Sequence, residues 1–164
     1  MKLHVVAFGK LKAPGLREAA DYYLRNIAPW VTVQEHELKP LSVSDKSPST
    51  RVQIQEKEGA LLIERLSPLL GSRGAFYLMD EIGKAQTTQA WAQMVRTWEN
   101  ESTSSVALCL GSSLGWSSAL KKQARGLLSL GPQTLPHELA RVVLLEQAYR
   151  AWSLVRGHPY HNEG

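Results

Sequence analysis

The fold class is decided by the residues Val106-Ala107-Leu108-Cys109-Leu110 and by the turn Gly111-Ser112-Ser113-Leu114-Gly115 that follows them. The first five residues are all apolar, which predicts a strand covered on both of its faces. The two glycines that frame the turn allow the backbone to come close to a ligand. A strand of this kind that runs through a glycine turn into a helix is typical of α/β proteins.

Strand and helix patterns alternate along the rest of the chain. The predicted strands are Leu3–Phe8, Trp30–His36, Ala75–Met79, Val106–Leu110 and Leu128–Leu130. Helical spacing of apolar residues predicts helices after Pro14, over Val52–Leu66, from Thr87 or Thr88 to Trp98, over Leu120–Leu127, and from Pro136 to Val155. We therefore expect a single α/β domain over residues 1–164, with a mostly parallel sheet flanked by helices.

Prolines and polar residues set the predicted limits of the helix over Val52–Leu66. Lys39–Thr50 contains two prolines and several serines and threonines, which predicts a surface loop. Pro68 and Gly71 are expected to end the helix. The loop is too short to separate two domains.

The composition is that of a globular protein. Of the 164 residues, 43% are hydrophobic and 21% are charged, which argues against wholesale disorder. The formal net charge of +4 favours an anionic partner. The single cysteine, Cys109, excludes an internal disulfide and fits a reducing compartment. We find no leader-like segment and no run long enough to span a bilayer, so we expect a cytoplasmic protein without membrane contact.

Three predicted strand ends are candidates for ligand binding, because ligands of α/β sheets bind at the carboxyl ends of the strands. These ends are Met79-Asp80, Gly111–Gly115 and Leu130–Pro136. The turn Gly111–Gly115 has two interpretations, a plain turn or a loop that receives a negatively charged ligand at the start of a helix. It matches neither the Walker loop nor the dinucleotide fingerprint.

The helix after Pro136 carries both apolar and chemically active residues. It is apolar over most of its circumference, which indicates a core position or an oligomer interface. His137 in its first turn is either a capping or core histidine or a functional imidazole. Glu146 and Arg150 are four residues apart, so they form a salt bridge or leave the arginine facing a substrate.

The carboxyl-terminal segment His158-Pro159-Tyr160-His161 is unusual for a chain terminus. Imidazoles transfer protons near neutral pH, and an aromatic ring can stack on a base. The alternative is a tail that packs on a neighbouring surface. His137, His158, His161 and Cys109 match no standard zinc spacing, so we expect no metal site.

Motifs near the carboxyl end resemble one known family. They are Leu110-Gly111-x-x-x-Gly115, Thr134-Leu135-Pro136-His137-x-Leu139-x-Arg141-Val142, Glu146-Gln147-x-Tyr149-Arg150-Ala151 and Pro159-Tyr160-His161. A weaker likeness covers the opening Lys2-Leu3 strand, the segment Glu56–Gly59 and the turn Gly83-Lys84. Over its whole length the chain resembles the bacterial ribosomal RNA large subunit methyltransferase H family, within the SPOUT class.

The resemblance implies an S-adenosylmethionine-dependent homodimer that methylates N3 of a pseudouridine in the 23S rRNA of the assembled 70S ribosome. It also implies a carboxyl-terminal trefoil knot, with the cofactor and knot region over about residues 75–164. The positions implied for cofactor contact are Met79, Gly111, Leu130, Gly131, Pro132, Gln133, Thr134 and Leu135. The positions implied for the substrate side are His137, Arg150, Tyr160 and His161.

Chemistry suggests a role for each substrate-side residue. We expect His161 to accept the proton of the imide nitrogen, Tyr160 to stack on or orient the base, and Arg150 to stabilise the developing anion or contact a phosphate. His137 is interpreted as structural, closing the cofactor loop. A helix as apolar as Ala140–Val155 and the small size of the chain both favour a dimer.

Two features depart from the family pattern. Ser112, Ser113 and Leu114 stand where the family has a second glycine and then a small or acidic residue, so the turn is either unstrained at Ser112 or altered in cofactor affinity. Asn162 replaces a common basic residue and removes one possible phosphate contact. Two other functions stay open: a non-catalytic RNA-binding module, and a small-molecule methyltransferase on the same fold.

Overall fold

The computed structural model describes residues 1–161 and consists of a five-stranded parallel sheet flanked by five α-helices. The strands are β1 (Lys2–Phe8), β2 (Thr32–Leu38), β3 (Gly74–Ala85), β4 (Ser105–Leu110) and β5 (Gly126–Ser129). The helices are α1 (Pro14–Ile27), α2 (Pro48–Leu70), α3 (Thr88–Asn100), α4 (Ser118–Gln123) and α5 (His137–Val155). The predicted fold class is confirmed, whereas the knot stays a prediction.

The strand order is β2-β1-β4-β3-β5, and every neighbouring pair is parallel. All six residues of β4 are buried, as its apolar sequence predicts. Alternate strand residues enter two cores: one includes Leu108 with side chains from α1, α3 and α5, and the other includes Cys109 with side chains from α2 and α4. The sheet is therefore covered on both faces, and only its strand ends are free to form a site.

The prediction for α2 was wrong at both ends. The helix begins at Pro48 because Ser47 caps it, its hydroxyl accepting from the amide of Thr50 at 3.2 Å, and proline is favoured in a first turn. The helix also continues through Pro68 to Leu70, since Leu66 and Leu70 are buried in the core and hold the last turn. The predicted surface loop is correspondingly shorter.

The last two predicted elements were also misplaced. The short helix ends at Gln123, so Leu127 lies in β5, where it pairs with Leu78 of β3. The strand ends at Ser129, which excludes Leu130. The hydroxyl of Ser129 accepts from the amide of Gly131 at 3.1 Å and donates to its carbonyl at 2.8 Å, and these bonds turn the chain out of the sheet.

Strand β3 is longer than predicted because it leaves the sheet and returns. Met79 and Lys84 both pair with Leu128, so residues 80–83 form an extra segment between the two pairings. A β-carbon on Gly83 would lie 2.7 Å from the backbone of Leu128, so only glycine allows this return. Asp80 lies in this extra segment, directly after the last residue of β3 that pairs with β4.

A buried arginine joins the start of α5 to the opposite end of the chain. Arg141 is fully buried, and its guanidinium donates to the carbonyl of Gly9 at 2.8 Å and to Glu37 at 3.0 Å. Glu35 lies 3.4 Å from the same guanidinium and 2.8 Å from that of Arg17. This ion cluster fixes α5 against β1 and β2.

Within residues 1–161, no helix has the length and apolar character that a membrane crossing needs.

Arg141→Ala should lower the free energy of unfolding by about 3 kcal/mol, because it empties a fully buried position, removes the donor to the carbonyl of Gly9 and leaves Glu35 and Glu37 paired with Arg17 alone. Urea denaturation measures the change. Arg25→Ala, which removes an exposed arginine from α1, is the control and should change the stability little. An Arg141→Ala protein as stable as the control would show that the ion cluster does not hold the fold.

Candidate active site

A cavity of about 560 Å³ lies where β3 leaves the sheet after Met79 and at the carboxyl ends of β4 and β5. Residues 80–82 of β3 and the segments that follow β4 and β5 form most of its wall, and α2, α4 and the first turn of α5 complete it. The lining includes seven of the residues implied for cofactor contact: Met79, Gly111, Leu130, Gly131, Gln133, Thr134 and Leu135. Pro132 lies in the same loop but outside this lining.

Trp116 ties the ends of β3 and β4 together. Its indole nitrogen donates to the carbonyl of Met79 at 2.9 Å, and its ring packs against Gly111, where a β-carbon would approach it to 3.0 Å. Trp116 itself is buried and lines the cavity. Sequence reasoning missed this residue, although its position directly after Gly115 was a signal that could have found it.

The turn after β4 is not strained at Ser112. Within residues 1–161 the only non-glycine residue with a positive φ is Ser102, so Ser112 has an ordinary backbone conformation. Its hydroxyl donates to the carboxylate of Glu58 on α2 at 2.6 Å. Of the two alternatives for this departure from the family pattern, the unstrained turn at Ser112 therefore holds.

The loop after β5 depends on one glycine. Gly131 has a φ of +124°, which residues with a β-carbon rarely adopt. The hydroxyl of Ser129 binds both the amide and the carbonyl of Gly131. The following residues Gln133, Thr134 and Leu135 line the cavity. The loop therefore presents both backbone and side-chain groups to the cavity.

His137 has both a packing role and a position in the cavity wall. Its imidazole packs on the backbone of Gly9, where a β-carbon would approach Cε1 to 3.2 Å. The next residue, Glu138, accepts from the amides of Lys12 and Ala13. Hydrogen bonding from Lys12 lowers the pKa of Glu138, so its charge persists as the anchor for the start of α5.

Asp80, which belongs to a predicted strand end, lies in the cavity wall beside three polar side chains that sequence reasoning missed. Lys121 of α4 forms an ion pair with Asp80 at 3.0 Å, and both residues line the cavity. Arg51 and Gln55 of α2 donate to the carbonyl of Leu114 at 3.2 and 2.7 Å. Their spacing of four residues was a helical signal, but the loop predicted over Lys39–Thr50 obscured the start of that helix.

A second cluster at the far end of α5 gathers three of the four residues implied for the substrate side. Arg150 contacts Glu146 through two nitrogens, and its Nη1 donates to Nδ1 of His161 at 3.1 Å. The guanidinium lies 4.8 Å from the ring centre of Tyr160, whose hydroxyl donates to Glu146 at 3.1 Å. The salt bridge between Glu146 and Arg150, one of the two alternatives for this spacing, is therefore present.

The tail packs on an aromatic surface. The ring centre of Tyr160 lies 4.3 Å from that of Tyr149, which stacks on Trp30 at 5.4 Å. His158 contacts Trp30 edge-on at 5.3 Å. Burial raises the pKa of Tyr160, so its phenol stays protonated. The interpretation of the tail as a packed segment therefore holds, and the packing also brings Tyr160 and His161 to Arg150. Asn162 lies outside the described residues.

The cavity and the tail cluster are separate within one chain. His137 lines the cavity, whereas Arg150, Tyr160 and His161 are not part of its lining. Along α5, the rise of 1.5 Å per residue places Arg150 roughly 20 Å from His137.

Within residues 1–161, no group of three or more histidine, cysteine, aspartate or glutamate side chains is arranged to hold a metal ion.

Comparison with known proteins gives concordant results. A family model described as "Predicted SPOUT methyltransferase" matches residues 1–161. Ribosomal RNA large subunit methyltransferase H of Burkholderia mallei (strain ATCC 23344) and that of Burkholderia pseudomallei (strain K96243) are each 35% identical over 162 residues, 98% of this chain and 99% of the relative.

A solved structure shares the fold. The crystal structure of a probable methyltransferase from Bordetella pertussis Tohama I matches with a TM-score of 0.53 and 15% sequence identity, over 92% of this chain and 96% of that chain. The fold, the family model and the curated relatives agree over nearly the whole length. The chain belongs to the SPOUT methyltransferase family.

Proposed function

We propose that the protein transfers a methyl group from S-adenosylmethionine to N3 of a pseudouridine in the 23S rRNA of the assembled ribosome. The observation that carries this proposal is the cavity at the ends of β3, β4 and β5, whose lining includes seven residues at the positions that the family resemblance implies for the cofactor. The relatives named as ribosomal RNA methyltransferases support the substrate class. A ribosomal substrate implies a cytoplasmic protein.

The cavity suits a cofactor of this kind. Its volume of about 560 Å³ lies in the range of small-molecule sites. Leu110, Leu128 and Leu130 offer apolar contacts for a base, while Asp80 and Gln133 offer polar contacts for hydroxyl and amino groups. When bound, S-adenosylmethionine supplies a methyl group on a sulfonium centre. The loops after β4 and β5 would hold it.

The contact between Arg150 and His161 identifies the acceptor atom of the imidazole. A guanidinium only donates, so Nδ1 of His161 is the acceptor in this contact. A neutral imidazole can accept the proton of the imide nitrogen once Arg150 turns away from Nδ1. We therefore assign the proton acceptor to Nδ1 of His161.

Arg150 supplies the positive charge for the anion that forms when the imide nitrogen is deprotonated. The hydrogen bonds that Arg150 donates to Glu146 raise the pKa of Arg150, which keeps it protonated through the reaction. A cation beside the developing anion lowers the barrier. Tyr160 stays protonated and lies within contact of the guanidinium, so it orients or stacks on the base and does not accept a proton.

A homodimer would join the two halves of the site. One chain places Arg150 roughly 20 Å from His137 along the axis of α5, too far for direct cooperation with a cofactor in the same chain. A second copy can bring its tail cluster to the cavity of the first, and twofold symmetry would then form two such sites. We infer that the active enzyme is a dimer with shared sites.

The substrate assignment is tested by incubating the protein and labelled S-adenosylmethionine with 70S ribosomes, separated subunits and naked 23S rRNA. We expect label only on 70S ribosomes, mapped to N3 of one pseudouridine. RNA binding without transfer would instead support a non-catalytic binding module. Methyl transfer to small molecules alone would instead support a small-molecule methyltransferase on the same fold.

His161→Ala should reduce methylation at least about 100-fold, because a positioned general base contributes at least that much. Cofactor binding, measured by calorimetry, should be unchanged, since His161 does not line the cavity. His158→Ala is the control, because this imidazole in the same tail contacts Trp30 rather than Arg150. Full turnover by the His161→Ala protein would remove His161 from the mechanism.

A further inference from the structure

Three polar side chains of α2 form hydrogen bonds with the turn after β4. Glu58 accepts from the hydroxyl of Ser112 at 2.6 Å, and Gln55 and Arg51 donate to the carbonyl of Leu114. Because 51, 55 and 58 are spaced by four and three residues, they lie on one face of the helix. This face contacts a loop that forms part of the cavity wall.

We propose that Glu58 is a positioning residue that fixes the loop over residues 111–115 through Ser112 and thereby sets the affinity for the cofactor. The inference rests on the proposed function, since it assumes that the cavity binds S-adenosylmethionine. Glu58 is not part of the cavity lining, so it acts through Ser112 and has no direct contact with the ligand.

The burial of Glu58 shows how strongly the arrangement constrains the loop. Its side chain is only 2% exposed, and a buried carboxylate needs donors for both oxygens. Oε1 accepts from Ser112, and Oε2 accepts from the amide of Leu41 at 3.0 Å. If Ser112 moved away, one oxygen of the carboxylate would lose its donor, so the serine has one strongly preferred position.

Ser112 therefore has a function that glycine could not supply. A glycine at this position would have no hydroxyl to bind Glu58, and the loop would lose its attachment to α2 at that point. A loop held in its binding conformation loses less conformational entropy when a ligand binds. The serine found here strengthens cofactor binding through rigidity.

The second oxygen of Glu58 connects the same carboxylate to the segment that precedes α2. Leu41 lies between β2 and α2, and its amide donates to the carboxylate of Glu58. A bound cofactor that holds Ser112 in place also holds Glu58 in place, because the two side chains share a hydrogen bond. Hydrogen exchange at the amide of Leu41 should therefore slow when cofactor binds, although Leu41 is not part of the cavity lining.

Calorimetry with S-adenosylmethionine tests the proposal on the full-length protein. Ser112→Ala and Ser112→Gly should each raise the Kd about tenfold, since a hydrogen bond to a charged group is lost. Glu58→Gln should raise it only about threefold, because its amide can donate to the Ser112 hydroxyl while its carbonyl accepts from Leu41. In the Ser112→Ala background, Glu58→Gln should add no further loss.

The chain offers matched controls for both changes. Ser118 is an exposed serine outside the cavity lining, and Glu56 is an exposed glutamate on the same helix as Glu58. Ser118→Ala and Glu56→Gln should leave the Kd within about twofold of the wild-type value, as surface substitutions usually do. At saturating cofactor, all variants should methylate ribosomes at the wild-type rate, because only the cofactor affinity changes.

Two results would overturn the proposal while leaving the proposed function intact. One is wild-type cofactor affinity in the Ser112→Ala and Ser112→Gly proteins. The other is independent, additive effects of the Ser112 and Glu58 changes. A wild-type protein that binds no S-adenosylmethionine would overturn the proposed function and this inference together.

Discussion

The parallel pairing of β3 with both β4 and β5 is the constraint on which the candidate site depends. Because the three strands run in the same direction, their carboxyl ends meet at one edge of the sheet. Trp116 bridges the first two ends by its bond to Met79, and Gly131 turns the chain at the third. The cavity exists because three loops from distant parts of the sequence share this edge.

Helix α5 gives the molecule two chemically different ends. Near its start, Arg141 and Glu138 fix His137 against the segment after β1, beside the cavity. Near its end, Glu146 and Arg150 gather the tail. Because α5 is one continuous helix, its rise per residue keeps these ends apart. The distance between them is the physical reason for proposing that two copies complete each site.

Local patterns were sufficient to predict most of the architecture. Apolar runs identified the central strand, and the rule for strand ends located the cavity before any contact was known. The errors occurred where tertiary packing or side-chain bonds outweighed local signals. Leu66 and Leu70 hold Pro68 within α2, and Ser129 ends β5 one residue before Leu130.

Long-range partnerships among polar groups could not be predicted from spacing. Glu58 and Ser112 are 54 residues apart, and nothing local indicates that the glutamate is buried beneath the loop. The contact of Arg150 with His161 likewise depends on Tyr160 packing against Tyr149. The resemblance to a family supplied the positions of Arg150, Tyr160 and His161, and the structure supplies their partners.

Mixed dimers test the proposed shared site most directly. Gly131→Val disrupts the loop proposed to hold the cofactor in one chain, because a β-branched residue resists a φ of +124°, and His161→Ala removes the proposed proton acceptor of the other. Each variant alone should be almost inactive. If sites form between chains, an equal mixture refolded together should recover about a quarter of wild-type methylation, since half of the dimers are mixed and each has one intact site. A mixture as inactive as its components would contradict the account.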